Sequence, residues 1–165
     1  MGKPKITDKR WSIDLEKRIQ EEHYGESYSS RYSFNPNSEK EIFVIDTPPP
    51  YPSGTWHIGA VAQYSMIDVI ARSQRLLGKE VYFPWGVDRN GINIEFTVEK
   101  KTGKKMRTFE RGEFIDLCKE TIEEYTQAMR ETACRVGLSC SFESEYLTDS
   151  PEYRGVTQSI SVSYT

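Results

Sequence analysis

The spacing of apolar residues changes along this chain, and each change marks an element. In KRWSIDLEKRIQEEHY, residues 9–24, Trp11, Leu15 and Ile19 recur every fourth position with charges between them, which predicts an amphipathic helix. Residues 25–40 are polar and contain Gly, Ser, Asn and Pro, the composition of a connector. EIFVID, residues 41–46, is a short β-branched apolar run and reads as a buried strand. Pro48, Pro49 and Pro50 end it, because proline cannot donate to a sheet ladder.

From residue 58 to 77 the period becomes helical, with Val61, Ile67, Ile70 and Ala71 on one side and Gly78 as the stop. EVYF, residues 80–83, predicts a second strand. A strand, a helix and a strand in such close succession imply a βαβ crossover and hence two parallel strands. A long helix follows over 111–136, its buried stripe made by Phe114, Cys118, Ile122, Tyr125, Met129 and Val136. Ser150, Pro151 and Glu152 form a good start for another helix. There is no internal repeat or low-complexity segment. The fold class is α/β.

Composition narrows the function. At 165 residues the chain is long enough for one domain with a real core. Hydrophobic residues at 36% and charged residues at 28% indicate a globular rather than a disordered chain. A net charge of −3 argues against a dedicated nucleic-acid-binding module with a basic face. No apolar run approaches a membrane span, and MGKPKITDKRW lacks a signal-peptide core. The N-terminal Met-Gly is not a myristoylation signal, since Ile6 occupies its hydroxyl position. Cys118, Cys134 and Cys140 contain no C-x-x-C spacing, so they read as core residues of a reducing, cytoplasmic compartment, with no protein-bound metal expected.

The candidate chemistry lies in TPPPYPSGTWHIGA, residues 47–60. This turn follows the first parallel strand and opens the next helix, at the sheet edge where open α/β folds bind ligands. Free N–H groups at a helix N-terminus suit phosphate. His57 there can donate to a phosphate oxygen, and Gly54 and Gly59 leave room for a ligand to approach the backbone. The prolines stiffen the turn. Neither G-x-x-x-x-G-K-[ST] nor G-x-G-x-x-G occurs. GVDRNGINIE, residues 86–95, comes after the second strand and brings Asp88, Asn90 and Glu95 to the same edge. An acidic group there can hold an ammonium. Each stretch alone also reads as a plain connecting turn; together they describe a cleft with a phosphate side and an ammonium side.

IDTPPPYPSGTWHIGA (45–60), DVIARSQRLLGKEVYFPWGVDRNG (68–91) and VEK (98–100) resemble the N-terminal part of the catalytic domain of class I aminoacyl-tRNA synthetases. The Thr-Pro-Pro-Pro turn with Ser-Gly before the histidine is most similar to valyl-tRNA synthetases of the archaeal type; isoleucyl relatives usually carry Pro-Pro-x-Ala-Asn-Gly and leucyl relatives Pro-Tyr-Pro-Asn-Gly. The resemblance implies a Rossmann-type domain that activates an amino acid with ATP and Mg2+ and passes it to tRNA. It implies that His57 contacts ATP phosphates and that Gly59 and Ala60 lie against ATP. It also implies that Pro48, Pro49, Pro50 and Tyr51 wall the valine pocket and that Asp88 binds the ammonium. The family signature is His-x-Gly-His, whereas this chain reads His57-Ile58-Gly59-Ala60. Asn90 stands where many relatives have histidine, and Asn93 where many have proline.

The family's Lys-Met-Ser-Lys-Ser loop, editing insertion and anticodon-binding domain are not in the sequence. GKKMRT, 103–108, precedes the second half of the fold and reads as an exposed basic turn. The expected organisation is a leading helix and connector over 1–40, the first half of the catalytic domain over 41–158, and a tail of uncertain origin over 159–165. SISVSYT looks unlike the helix the family would continue, which leaves room for a truncation or frame change after about Gln158. Such a fragment should expose a sheet edge and be inactive alone. An isoleucyl- or leucyl-tRNA synthetase, a coenzyme-forming nucleotidyltransferase and a non-catalytic synthetase-like nucleotide-binding module stay open as other readings.

Overall fold

One extended segment, residues 80–87, joins two short parallel sheets of two strands each. The computed structural model describes residues 10–23, 30–52, 54 and 56–164. Within that segment, β2 (Glu80–Tyr82) and β3 (Pro84–Val87) are separated only by Phe83. β1 (Ile42–Val44) pairs in parallel with β2, and β4 (Ser141–Leu147) pairs in parallel with β3. The hydrogen bonds alternate by residue, as strand geometry requires. Glu80 N donates to Glu41 O at 3.0 Å, Ile45 N to Tyr82 O at 2.9 Å and Asp88 N to Pro50 O at 2.9 Å, all toward β1. Ser141 N donates to Phe83 O at 2.7 Å and Thr148 N to Val87 O at 3.2 Å, toward β4. Residues 80–87 therefore run through the middle, with β1 on one side and β4 on the other.

Side chains alternate as well. Val81, Phe83, Trp85 and Val87 are buried in the main core with Ala71, Met129, Ala133, Leu138 and Cys140. Tyr82, Pro84 and Gly86 face the opposite way, into a cleft of about 660 Å3. The main core is closed by α2 (Ile58–Leu76) and α4 (Arg111–Val136). α3 (Ile92–Thr102) packs on α4 through a second cluster of Ile94, Val98, Phe114 and Ile122. The expected crossover from β1 through α2 to β2 is present, and α4 has its expected bounds.

Several packing expectations need correction. β1 is not a buried strand: Ile42 is 49% and Val44 55% exposed, because among the described residues β1 pairs only on its β2 side. On α2 Ile70 is exposed, and the inward stripe is Tyr64, Asp68 and Ala71. Asp68 is tolerated inside because Arg72 Nε donates to it at 2.7 Å and Ser139 N at 2.8 Å. On α4 Val136 is exposed next to Gly137, which ends the helix at φ 80, and Ala133 takes the core position. The N-terminal helix, α1 (Ile13–His23), leaves Trp11 and Ile19 exposed. Its link to α4 is the side chain of Gln20, which donates to Arg135 O at 3.4 Å.

The C-terminal helix, α5 (Pro151–Ser163), starts as expected, with Ser150 Oγ accepting from Tyr153 N at 3.2 Å and proline in the first turn. It runs on past Gln158 to Ser163. Thr157 and Ser159 return their hydroxyls to the carbonyls of Tyr153 and Gly155 at 2.9 Å, and no proline interrupts the run. The 103–108 segment is an exposed turn, as expected. Gly103 closes α3 at φ 67, and a single 3-10 turn follows over Met106–Thr108.

Candidate active site

The turn from 47 to 60 is held from two directions. Tyr64, one face of α2 above His57, donates its hydroxyl to Pro48 O at 2.9 Å. Trp56 stacks on Tyr64 with ring centroids 5.0 Å apart and an interplanar angle of 19°. Trp56 also meets Trp85 at 5.7 Å, which anchors the segment before His57 to the core. On the other side, Pro50 O accepts from Asp88 N. The proline turn and the Asp88 loop are thus fastened together by a main-chain bond. Burial pushes the Tyr64 phenol up to about 12, with Tyr146 adding to the effect.

His57 is the N-cap of α2. Its Nδ1 accepts from Gly59 N at 3.1 Å and Ala60 N at 3.3 Å. An imidazole nitrogen that accepts leaves the other to donate, so Nε2 is the outward donor. A Cβ on Gly59 would lie 3.0 Å from His57 Cε1 and Nδ1. Gly59 therefore makes room for the histidine ring itself, a role the sequence reading did not assign. Gly54 has φ 123, in the left-handed region, with open space around its Cα.

Pro49 and Pro50 line the 660 Å3 cleft with Asp46, Tyr64, Tyr146 and Tyr153; His57 and Asp88 do not. Gly86 forms part of its floor, and a Cβ there would collide with the Tyr146 ring. Tyr51 does not line this cleft. Its hydroxyl lies under Gly91, where a Cβ would come within 2.6 Å of it. That hydroxyl is buried and faces the backbone of Asn93 and Ile94. Burial raises the Tyr51 phenol, and the Asp88 carboxylate raises it further.

Asp88 is half-buried at the end of β3. Its Oδ1 accepts from Asn90 N at 3.1 Å and from Thr148 Oγ1 at 3.0 Å. Among the described residues no donor reaches its Oδ2. Asn90 turns inward, donating Nδ2 to Thr148 O at 3.1 Å. Glu95 sits in the first turn of α3, where a negative charge complements the helix dipole. Sequence reasoning missed Trp56, Tyr64 and Thr148. Tyr64 was findable, because it lies seven positions after His57 and so on the same side of the helix. Among the described residues no cluster of three or more His, Cys, Asp or Glu could hold a metal. No described helix is long and apolar enough to cross a membrane.

Residues 20–163 match the family model for tRNA synthetases class I (I, L, M and V). The chain is 49% identical over 127 residues to a valine–tRNA ligase of Archaeoglobus fulgidus, covering 77% of this chain and 15% of that protein. It is 41% identical over 161 residues to a valine–tRNA ligase of Aeropyrum pernix, covering 94% and 19%. Among solved structures it is similar to a LeuRS–tRNA–LeuAMS ternary complex, agnB2 LeuRS of Agrobacterium radiobacter K84. The TM-score is 0.69 at 26% identity, covering 90% of this chain and 17% of that one. The chain thus spans less than a fifth of the length of these relatives. With a match that takes in β1, the histidine-capped turn and the Asp88 loop together, the chain belongs to the class I tRNA synthetases (I, L, M and V).

Proposed function

We propose that this chain is the opening part of the catalytic domain of an enzyme that joins valine to its tRNA. On this reading residues 41–158 form the first half of a Rossmann-type domain, with the leading helix and connector over 1–40 and a tail over 159–165. The observation that carries it is the bond from Asp88 N to Pro50 O at 2.9 Å, which joins the phosphate-side turn to the ammonium-side loop. The identities of 41–49% to valine–tRNA ligases support valine as the substrate.

ATP, with Mg2+ on its phosphates, is the second substrate. The valine carboxylate attacks the α-phosphate in line, pyrophosphate leaves, and the valyl group then passes to the tRNA 3′ end with release of AMP. In such chemistry the protein positions groups and stabilises developing charge. His57 donates from Nε2 to a phosphate oxygen. Gly59 and Ala60, whose amides hold the ring through Nδ1, fix the direction of that donation. Asp88 receives the ammonium at Oδ2. Pro48, Pro49 and Pro50 shape the pocket wall, and Tyr51 supports the Asp88 loop from beneath Gly91. Three free cysteines fit a reducing cytoplasm.

The test is valine-dependent ATP–pyrophosphate exchange, run on this chain and on the protein expressed from the whole reading frame that contains it. Isoleucine, leucine and threonine run in parallel. Exchange with valine in the longer protein, and none in the 165 residues alone, is the expected result. Exchange driven by a different amino acid would change the substrate, and no exchange in either would leave a non-catalytic module.

A further inference from the structure

Thr148, the residue after β4, is buried at 7% exposure and bonds to three successive residues of the Asp88 loop. Its N donates to Val87 O at 3.2 Å, which fixes its backbone to the central strand. Its Oγ1 lies 2.8 Å from Arg89 N, 3.0 Å from Asn90 Nδ2 and 3.0 Å from Asp88 Oδ1. A hydroxyl has two lone pairs and one proton. Arg89 N and Asn90 Nδ2 are donors, so they occupy both lone pairs. The single proton is left for Asp88 Oδ1, and the count fixes its direction. Asn90 N donates to the same oxygen. Both donors thus fall on Oδ1, while no described donor reaches Oδ2.

We propose that Thr148 is a positioning residue for amino-acid recognition: its hydroxyl locks the Asp88 carboxylate so that Oδ2 faces the substrate ammonium. The inference rests on the reading of Asp88 as the ammonium ligand. Valine at 148 would match threonine in shape, leave Arg89 N and Asn90 Nδ2 without their shared acceptor, and free Asp88 to rotate. Serine would keep the hydroxyl.

The experiment compares two probes by calorimetry on the protein expressed from the whole reading frame. One is valyl-sulfamoyl adenosine; the other is the same compound without its amino group. The readout is the ratio of their affinities, which reports the ammonium contact and cancels general damage to the site. Thr148→Val should narrow the ratio roughly tenfold, the order of one hydrogen bond to a charged group. Thr148→Ser should hold it near the wild-type value. If Thr148→Val does not fold, Thr148→Cys, with a weak S–H donor, carries the same expectation. Equal weakening of both probes, or an unchanged ratio, would overturn the role of Thr148. Asp88→Asn serves as the control for the underlying reading. If it erases the ratio while the Thr148 variants keep it, only this inference fails. If Asp88→Asn keeps the ratio, or the unsubstituted protein has no ammonium preference, the reading of Asp88 falls and this inference with it.

Discussion

His57→Ala removes an acceptor that Gly59 N and Ala60 N share, so it should cost about 1 kcal/mol of stability as a lost helix cap and also slow pyrophosphate exchange. His57→Asn separates the two effects. Asparagine caps well, so urea denaturation should find stability near wild type while exchange stays slow. Exchange at the wild-type rate in His57→Asn would remove the ring from the chemistry. Gly59→Ala tests the same ring from the other side. Alanine favours the helix, yet its Cβ would press on His57 at 3.0 Å. Stability should hold or rise while exchange falls; unchanged exchange would mean the ring has room to yield. At this scale the sequence placed His57, Gly59 and Asp88 at one sheet edge. It could not show that Gly59 serves the histidine, because that depends on the ring turning back over its own helix. Nor could it find Thr148, which meets Asp88 across sixty positions of chain.

The link between α2 and the proline turn should be sensitive to alkali. The folded protein holds the Tyr64 proton up to about 12, whereas an unfolded tyrosine releases it near 10. The folded state therefore binds the proton more tightly. The stability this contributes is complete below about pH 10 and is lost as pH rises from about 10 to 12. Denaturation midpoints across pH 8–12 should fall less steeply in Tyr64→Phe than in wild type; parallel curves would show that burial does not hold the Tyr64 proton. The elements themselves were unevenly legible. α4 was readable because its apolar residues keep one period for its whole length. β4 was not, because SFESEYL carries glutamates at positions 143 and 145 and its register against β3 shifts between Pro84 and Gly86. α3 was hidden because the loop signal of DRNG runs straight into it. On α2 the polar atoms of Tyr64 and Asp68 disguised the inward stripe, although both are inside.

At the scale of the fold, β1 has no strand partner on its outer side among the described residues, with Ile42 and Val44 exposed, the kind of edge that recruits another strand. The 165-residue chain should self-associate as its concentration rises, and Val44→Lys should shift light scattering toward monomer. Association unaffected by that change would place the contact elsewhere, for instance on the exposed helix α5. The α/β class and the parallel crossover were legible because they follow from the order of short apolar runs. The continuity of β2 and β3 was not, since the proline at 84 reads as a strand end while it in fact opens the next strand. That continuity makes residues 80–87 a ruler with a parity. Glu80, Tyr82 and Asp88 bond on the β1 side, Phe83 and Val87 on the β4 side, and Asp88 is read by Pro50 at the far end. Adding one residue near Phe83 would turn the Asp88 amide away from Pro50. Adding two would restore parity but overshoot Pro50 by about 6.6 Å, at roughly 3.3 Å per residue. Among homologues, length changes should therefore collect before residue 80 or after the Asp88 loop, and spare the eight residues that measure the distance between the two halves of the site.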